Sequence, residues 1–247
     1  MFFFKKSKPL LKELIPSDYV DIHSHLLYGI DDGAQTFDDT LFLAKSMIEI
    51  GFSEFITTPH TIAQVWDNTR EIISSKNDST IIQLGQNGIN VPFKSASEYL
   101  MDGNFVERFT TEPLLTLKEN YVLVEMSYIN PPIQLYDILF ELQLAGYVPI
   151  LAHPERYFFY HGSNYSEYAR LKKAGCLFQL NLLSIVGYYG ENVFRVSKKL
   201  LEEGMIDYVG SDIHHKKHLQ SFDNKVLLKD LQPLKEALNN NLFFSQK

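Results

Sequence analysis

The stretch YVDIHSH at residues 19–25 joins a short apolar run to two histidines, and this arrangement recurs along the chain. Five more runs place a His, Asp or Glu after apolar residues: FITTPH (55–60), the less apolar VPFKSASEY (91–99), YVLVEMS (121–127), VPILAHPER (148–156) and DYVGSDIHH (207–215). An ionisable group at the end of a buried strand costs stability unless it has a partner. Six such ends meeting at one point would form a polar pocket on the carboxyl face of an α/β barrel, where active sites of that fold lie. The pattern therefore predicts a multinuclear metal site.

Strand-like and helix-like segments alternate almost to the end of the chain. Residues 37–50 have apolar positions at helical spacing, with Thr36 before them and Gly51 after them. A second helix is expected over 68–87, broken by the polar patch SSKNDS, and only a turn is expected around residues 102–103. Further helices are predicted at 132–145, 164–174 and 191–203. Seven strands are predicted, at 19–23, 53–58, 91–97, 121–126, 148–152, 176–181 and 207–210. Strands that alternate with helices form parallel βαβ units, so the predicted fold class is α/β.

The composition fits one domain. A chain of 247 residues with 45% hydrophobic residues can form a single barrel over 1–247, with 1–17 as an N-terminal extension and 216–247 as a C-terminal segment. The net charge of −7 argues against a nucleic-acid-binding surface. The N-terminal MFFFKKSK is too short for a membrane span and lacks the order of a secretory signal, so we expect a cytoplasmic protein. Phe2–Phe4 with Lys5, Lys6 and Lys8 form either a weak membrane-surface contact or a frayed terminus.

Cysteine chemistry is excluded. Cys176 is the single cysteine, so the chain has neither a disulfide framework nor a thiolate zinc cluster. A thiolate phosphatase needs an arginine six positions after its cysteine, and residue 182 is Leu. Cys176 also lies in an apolar run, where burial disfavours the thiolate. It is therefore interpreted as a core residue.

The ionisable residues at the strand ends each have a structural alternative. The pair His23 and His25 has the spacing that points two side chains to one side of a strand, but such pairs also arise by chance. Asp32 lies in a turn sequence, and His60 alone would be a hydrogen-bonded structural residue. Glu125 interrupts an apolar run, and its buried carboxylate requires a metal, protonation or an ion pair with Arg or Lys.

Six motifs occurring in order resemble those of the polymerase-and-histidinol-phosphatase (PHP) superfamily. They extend from about residue 18 to about residue 215 and read DIHSH, TTPH, ASEY, LVEMS, AHPER and GSDIHH. The stretch DIHSHLLYGIDDGAQT makes the chain more similar to the bacterial capsular-polysaccharide tyrosine phosphatases within that superfamily. The resemblance implies a distorted TIM-like (β/α)7 barrel that binds three divalent ions, often manganese, at the carboxyl ends of its strands.

The resemblance also implies a role for each residue. The first ion would be bound by four residues, the second would share Glu98 with the first, and the third would have a separate set. The sets are His23, His25, Glu98 and Asp212; then Glu98, Glu125 and His153; then Asp32, His60 and His214. Mixed His and carboxylate ligands suit manganese, iron or zinc. Three divalent ions would outweigh the four carboxylates by two charges, leaving a positive pocket for a phosphate.

The implied activity is that of a metal-dependent protein-tyrosine phosphatase, a phosphoric monoester hydrolase. A metal-bridging water held by Glu98 would attack phosphorus, and Arg156 would bind phosphate oxygens unless it forms a surface ion pair with Glu155 or another acid. The related phosphatases have a second arginine after the last motif; here Lys216, Lys217 or His218 would replace it, or the contact is absent.

The implied substrate is a phosphotyrosine protein, namely a bacterial tyrosine kinase of capsule or exopolysaccharide synthesis. Two alternatives remain: a small-molecule phosphomonoesterase of the histidinol-phosphatase type, and a barrel that binds metal or a partner without catalysis. Aromatic residues near the predicted mouth would either stack on a phenyl ring or pack within the protein, and packing is favoured for most of them. They are Trp66, Tyr157, Phe158, Phe159 and Tyr160.

Overall fold

The computed structural model of the chain describes residues 7–162 and 165–246. Phe2–Phe4, Lys5 and Lys6 lie outside these ranges. Every ladder between neighbouring strands in the described part is parallel, as the alternation of strands and helices predicts. The strands are β1 (Tyr19–Asp21), β2 (Phe52–Thr57), β3 (His60–Thr61), β4 (Phe93–Ser95), β5 (Glu98–Leu100), β6 (Tyr121–Glu125), β7 (Val148–Ala152), β8 (Leu177–Asn181) and β9 (Tyr208–Gly210).

The strands form two sheets that together make a distorted barrel. Their orders are β1-β2-β4 and β3-β5-β6-β7-β8-β9. The chain passes to the second sheet for β3, returns to the first for β4 and passes to the second again at β5, so two of the seven predicted strands are each followed by a short separate strand. At the carboxyl end, the Asp212 amide donates to the carbonyl of His23 at 2.7 Å, and Ser24 pairs with Ile213. These contacts connect the first strand to the last, which confirms the predicted α/β barrel.

The first helix, α1 (Phe37–Ile50), has the predicted bounds. Thr36 and Asp39 form a capping box: the Thr36 hydroxyl accepts from the Asp39 amide at 3.2 Å, and the Asp39 carboxylate accepts from the Thr36 amide at 2.9 Å. Gly51 ends the helix with a φ of 122°, which is strained for any residue with a Cβ. Local sequence signals thus determine this helix completely.

The predicted break in the second helix is wrong. α2 (Arg70–Gln86) is continuous through the polar SSKNDS patch. Its buried residues Ile73, Thr80 and Leu84 lie on one stripe, and polar residues such as Ser75 and Asp78 face solvent. Only Ser75 and Asp78 of the patch are exposed and its other four residues are half-buried, so the polar run continues the helix through more than one turn.

Three described helices have no counterpart among the predictions. α3 (Gly103–Thr111) begins where only a turn is expected, because the Asp102 carboxylate accepts from the Phe105 amide at 2.8 Å and caps a helix. α7 (Lys216–Gln220) and α8 (Gln232–Asn240) lie in the C-terminal segment. The other predicted helices are present with shorter bounds: α4 (Leu135–Leu144), α5 (Ser166–Lys173) and α6 (Glu191–Glu202).

The barrel interior is apolar and is closed at its amino end by the chain's own C-terminal segment. The interior side chains include Val20, Ile56, Leu123 and Ile150. The 3-10 helix Asn241–Phe244, here called the amino-end plug, inserts the fully buried Phe244 among them. The Phe244 ring lies 5.9 Å from the ring of Tyr121 and 4.9 Å from that of Tyr208, at the first residues of β6 and β9.

Cys176 lies directly before β8 and is 1% exposed, which confirms its interpretation as a core residue. Burial raises the pKa of its thiol to about 12. Within the described ranges, no helix combines the length and the hydropathy needed to cross a bilayer.

Candidate metal centre

The carboxyl end of the barrel gathers all nine residues that the sequence suggests as metal ligands. They follow β1, β7 and β9, lie at the start of β3 and β5 and at the end of β6, or lie in the turn after β1. Their potential ligand atoms form four overlapping groups, and the atoms of each group lie within 4.8 Å of one another. The groups are His25, Asp32, His60 and His214; His23, Glu98 and His153; His23, His25 and Asp212; and His60, Glu98 and Glu125.

One part of this cluster contains the residues that the resemblance assigns to a first ion. Asp212 Oδ1 lies 3.3 Å from His23 Nε2 and 3.4 Å from His25 Nε2. Glu98 Oε2 lies 3.2 Å from His23 Nε2 and 3.5 Å from His25 Nε2. All four side chains are buried. Two imidazoles and two carboxylates thus face one point.

Glu98 connects this part of the cluster to a second one. Its Oε1 atom lies 3.0 Å from His153 Nε2, and its Oε2 atom lies 3.1 Å from His60 Nδ1. Glu125 Oε1 lies 2.9 Å from the same His60 nitrogen. Glu125 therefore groups with His60 here, whereas the resemblance pairs it with His153. The two oxygens of Glu98 face different groups, which is the geometry of a bridging carboxylate.

A third part lies nearer to solvent. Asp32 Oδ1 is 3.5 Å from His60 Nε2 and 3.4 Å from His214 Nε2. The Asp32 side chain is 50% exposed, so it forms the mouth of the cluster. The His214 ring is oriented by a hydrogen bond from its Nδ1 to the carbonyl of Asp212 at 2.9 Å.

The charges in the cluster oppose one another strongly. Burial alone would raise the pKa of the Glu98 carboxyl, but the adjacent His23 and His60 imidazoles hold it well below its usual range. Burial and the neighbouring Glu98 carboxylate raise the pKa of Glu125. Burial and the charge of Arg156 lower the pKa of His153 to about 4, which leaves its imidazole neutral, the form that binds metals.

The donor set fits divalent cations. His60 Nδ1 lies within 3.1 Å of Glu98 Oε2 and Glu125 Oε1, yet none of these three buried atoms forms a hydrogen bond of suitable geometry. Buried polar atoms are normally satisfied, so unmatched donors and acceptors at one point indicate a missing partner. The ion pairs found for Glu125 in the described ranges include no Arg or Lys, and the structural alternative for this residue is therefore wrong. Imidazole and carboxylate ligands together suit manganese, iron and zinc.

Two residues that sequence reasoning missed orient the histidines. Asp31 Oδ2 accepts from His25 Nδ1 at 2.8 Å, and Gln179 Oε1 accepts from His23 Nδ1 at 2.7 Å. Each bond turns the Nε2 atom toward the cluster, as partners of metal-binding histidines do. Gln179 had the same signal as Glu125, a polar residue inside an apolar strand. Asp31 gives no separate signal in the sequence, because the adjacent Asp32 is the aspartate to which the resemblance assigns a role in this turn.

Arg156 reaches the cluster from the 3-10 helix Pro154–Arg156, which follows β7. Its Nη1 atom donates to Asp212 Oδ2 at 2.7 Å. The alternative, a surface ion pair with Glu155 or another acid, is correct in part, because Arg156 does pair with an acid; that acid is the buried Asp212 and not Glu155. Glu155 is fully buried, and its carboxylate accepts from the Asn181 amide at 3.0 Å and the Ser184 hydroxyl at 2.7 Å.

The three candidates for a second phosphate contact have different surroundings. His218 is buried, and its Nδ1 accepts from the His214 amide at 3.2 Å; burial lowers its pKa to about 3. Lys216 and Lys217 are exposed. Lys216 lines a cavity together with His214, and its Nζ lies 5.3 Å from the Phe42 ring. His218 thus supports the His214 loop, and Lys216 is the exposed candidate that lines a cavity with His214.

Packing explains most of the aromatic residues near the mouth. Tyr157 and Tyr160 are buried, and the Phe159 ring lies 5.5 Å and 4.6 Å from theirs. Trp66 stacks on His60 at 4.9 Å, with ring planes 12° apart. Phe158 differs from the others because it is 58% exposed.

Comparisons with known proteins agree with this geometry. The chain is 29% identical over 199 residues to the tyrosine-protein phosphatase YwqE of Bacillus subtilis, covering 80% of this chain and 78% of the relative. It is 25% identical over 213 residues to the tyrosine-protein phosphatase CpsB of Streptococcus pneumoniae, covering 79% of this chain and 83% of the relative.

Solved structures agree as well. A crystal structure reported under the description of YwqE from Bacillus subtilis and CpsB from Streptococcus pneumoniae as unique metal-dependent tyrosine phosphatases is similar to this chain. The match has a TM-score of 0.76 and 27% identity, and it covers 92% of this chain and 88% of that one. The phosphotriesterase homology protein of Escherichia coli, at 12% identity and a TM-score of 0.53, shares the fold. The family model for capsular polysaccharide synthesis proteins, CpsB/CapC, matches residues 19–222. The chain therefore belongs to the CpsB/CapC family of capsular polysaccharide synthesis.

Proposed function

We propose that this chain is a metal-dependent protein-tyrosine phosphatase. The observation that carries the proposal is the convergence of nine imidazoles and carboxylates, with unmatched buried ligand atoms, beside the guanidinium of Arg156. Membership of the CpsB/CapC family and the phosphatase names of the relatives support it. The reaction breaks the bond between phosphorus and the tyrosine oxygen, forms one between phosphorus and water oxygen, and releases tyrosine and inorganic phosphate.

The proposed cofactor is a set of three divalent ions, with manganese preferred over iron or zinc. The residues that would hold the ions are those that the resemblance implies; Glu98 would be shared by two of the sets, and His60 lies within reach of both Glu125 and Asp32. Divalent ions in such a site supply a nucleophilic hydroxide at neutral pH and neutralise phosphate oxygens. Oxygen-rich and imidazole-rich sites of this kind do not discriminate sharply among first-row metals.

The protein's own groups hold and orient the substrate. Arg156 carries the donors for phosphate oxygens and is held at the edge of the cluster by Asp212. Asn181 Nδ2 donates to the same Asp212 oxygen at 2.8 Å, so this carboxylate stays in place when Arg156 turns to a substrate. Asp31 and Gln179 fix the two histidine rings of the first motif.

The proposed physiological substrate is a phosphorylated bacterial tyrosine kinase of capsule or exopolysaccharide synthesis, dephosphorylated in the cytoplasm. The family description supports a role in capsule synthesis. The barrel is proposed to be the single domain of the chain.

The test is phosphate release from phosphotyrosine peptides by protein that is first chelated and then loaded with manganese. Release that follows the amount of bound metal, and its loss in His23→Ala, is the expected result. Loaded protein that releases no phosphate would overturn the proposal, and full activity in His23→Ala would remove the role of the cluster. Faster turnover of histidinol phosphate than of phosphotyrosine would favour the small-molecule alternative.

A further inference from the structure

A small cavity opens beside the metal centre, on the side of Arg156. Its volume is about 170 Å³, and it is lined by Tyr128, Arg156, Phe158, Tyr189 and Val193. Four of these five residues are apolar or aromatic, and the fifth is a cation. The cavity therefore offers an aromatic enclosure with one positive charge in its wall.

Arg156 connects this cavity to the metal centre. Its guanidinium carbon lies 4.9 Å from the centre of the Tyr128 ring and 4.3 Å from that of the Tyr189 ring. Cations held against aromatic faces at these distances are attracted by the rings. The same guanidinium donates to Asp212, which contacts His23. An anion bound by Arg156 would thus lie between the cluster and the cavity.

Two of the rings are held in place by polar contacts. The Tyr128 ring stacks on His153 at 5.7 Å, and its hydroxyl lies 3.4 Å from His153 Nε2. The Tyr189 hydroxyl accepts from Asn181 Nδ2 at 3.1 Å. These contacts fix two of the aromatic walls of the cavity.

The outer wall of the cavity is exposed. Phe158 is 58% exposed and Tyr128 is 44% exposed, although the neighbouring Tyr157 is fully buried. Exposed aromatic faces around a slot gain contact area when a planar ring packs against them. A cavity of roughly 150 Å³ is large enough to hold benzene, so this cavity fits a single phenyl ring.

We propose that this cavity, the aryl subsite, takes the phenyl ring of the phosphotyrosine side chain while Arg156 binds its phosphate. The inference rests on the proposed phosphatase function and adds the residues that select aryl over alkyl phosphate esters. Arg156 complements the charge of the phosphate, and Tyr128, Phe158 and Tyr189 contact the ring. An alkyl phosphate would bind Arg156 and leave the aryl subsite empty.

The experiment compares kcat/KM for free phosphotyrosine and for β-glycerophosphate in manganese-loaded protein. Phe158→Ala is expected to lower the aryl-to-alkyl ratio by about two- to tenfold, the range of an aromatic pair contact. Phe158→Tyr, which keeps the ring, is expected to retain the ratio. Phe140→Ala is the matched control, because Phe140 is a 66% exposed residue of α4 that does not line the cavity.

The outcomes separate the two proposals. An unchanged ratio in active Phe158→Ala protein, or an equal loss for both esters, overturns the aryl subsite and leaves the phosphatase function standing. Wild-type protein that hydrolyses neither ester overturns the phosphatase function, and the subsite with it. Thermal unfolding of each variant verifies that it is folded.

Discussion

Both ends of the barrel contain buried polar groups, but the two ends differ in whether the protein supplies hydrogen-bond partners for them. At the carboxyl end, the strands lead into nine imidazoles and carboxylates that face one another. At the amino end, the plug Asn241–Phe244 closes the barrel with one phenyl ring and one amide. Six of the nine cluster residues are buried, as are Asn241 and Phe244, so the two ends can be compared by the partners that their buried polar groups have.

At the amino end the partners belong to the protein. Asn241 Nδ2 donates to the carbonyls of Val20 at 2.9 Å and Val209 at 2.8 Å, and its Oδ1 accepts from the Val209 amide at 3.2 Å. The buried Glu54 accepts from the Ser245 hydroxyl at 2.7 Å and the Gln246 amide at 2.8 Å. Matched groups of this kind stabilise one arrangement of the chain.

At the carboxyl end the protein supplies too few partners. Buried atoms of His60, Glu98 and Glu125 have no hydrogen bond, and two buried carboxylates lie against one imidazole nitrogen. Polar groups that are hydrogen-bonded within the protein stabilise the fold. Unmatched ligand atoms instead indicate a site that binds a group from outside the chain. The following substitutions test that distinction.

Among these substitutions, Phe244→Ala should have the largest effect, and the property it changes is the stability of the fold. Removing a fully buried ring from the interior should lower the free energy of unfolding by about 3–5 kcal/mol. Bound manganese per chain should stay unchanged, because the plug lies at the opposite end from the ligands. Urea unfolding and elemental analysis measure the two quantities.

The neighbouring Phe243→Ala is the control, since Phe243 is 39% exposed and should cost less. Loss of metal from folded Phe244→Ala protein would contradict the separation of the two ends.

Glu98→Gln should act at the other end. The amide keeps the volume but removes the charge that faces His23, His60 and His153. Loss of this proposed ligand should weaken manganese binding by at least about a hundredfold, which is the upper end of the effect of removing a hydrogen-bond partner of a ligand. Calorimetric titration of chelated protein measures it.

Glu202→Gln, at an exposed position on α6, is the control for charge removal. Wild-type metal content in Glu98→Gln would contradict the proposed ligand role.

The same comparison explains how far the sequence alone could lead. Most of the cluster residues could be predicted because they interrupt or follow an apolar run, a signal within a few residues, whereas Asp32 lies in a turn and was indicated only by the family resemblance. The capping pair Thr36 and Asp39 is equally local, and α1 was predicted with its observed bounds. The residues at the carboxyl end of the barrel can therefore be recognised from short sequence patterns.

The amino-end plug has no such signature. Phe244 is one of three consecutive apolar residues near the C-terminus, and only its contacts with β6 and β9, 36 or more positions away, give it a role. The grouping of Glu125 with His60 likewise depends on the pairing of Leu100 with Glu125 and of His60 with Glu98 across β3, β5 and β6. Long-range register of this kind cannot be read from local patterns.

Asp31→Asn should have an intermediate effect on the metal end. The amide can still accept from His25 Nδ1 but no longer provides a negative charge that makes the imidazole a stronger ligand. Manganese affinity should fall by about 10- to 100-fold, measured by the same titration. Asp38→Asn, at an exposed position in the first turn of α1, is the control. Equal affinities in the two variants would show that Asp31 only shapes the turn.

Cys176→Ala should have the smallest effect, and it depends on pH. Cys176 is a buried ionisable group at the amino end of β8, and burial outweighs the nearby charge of Lys172, so the pKa of its thiol rises from 9.0 to about 12. Above pH 9 the unfolded chain releases this proton and the folded chain does not, so stability falls as the pH rises toward 12. Each pH unit in that window costs about 1.4 kcal/mol.

Between pH 8 and pH 10, wild-type protein should therefore lose about 1.4 kcal/mol more unfolding free energy than Cys176→Ala. Other groups titrate alike in both proteins, and any cavity left by the substitution shifts the variant equally at both pH values. The difference in slope, measured by urea unfolding, is thus specific to the thiol. Parallel pH profiles would mean that the amino end tolerates a buried charge, and the contrast with the carboxyl end would then need another cause.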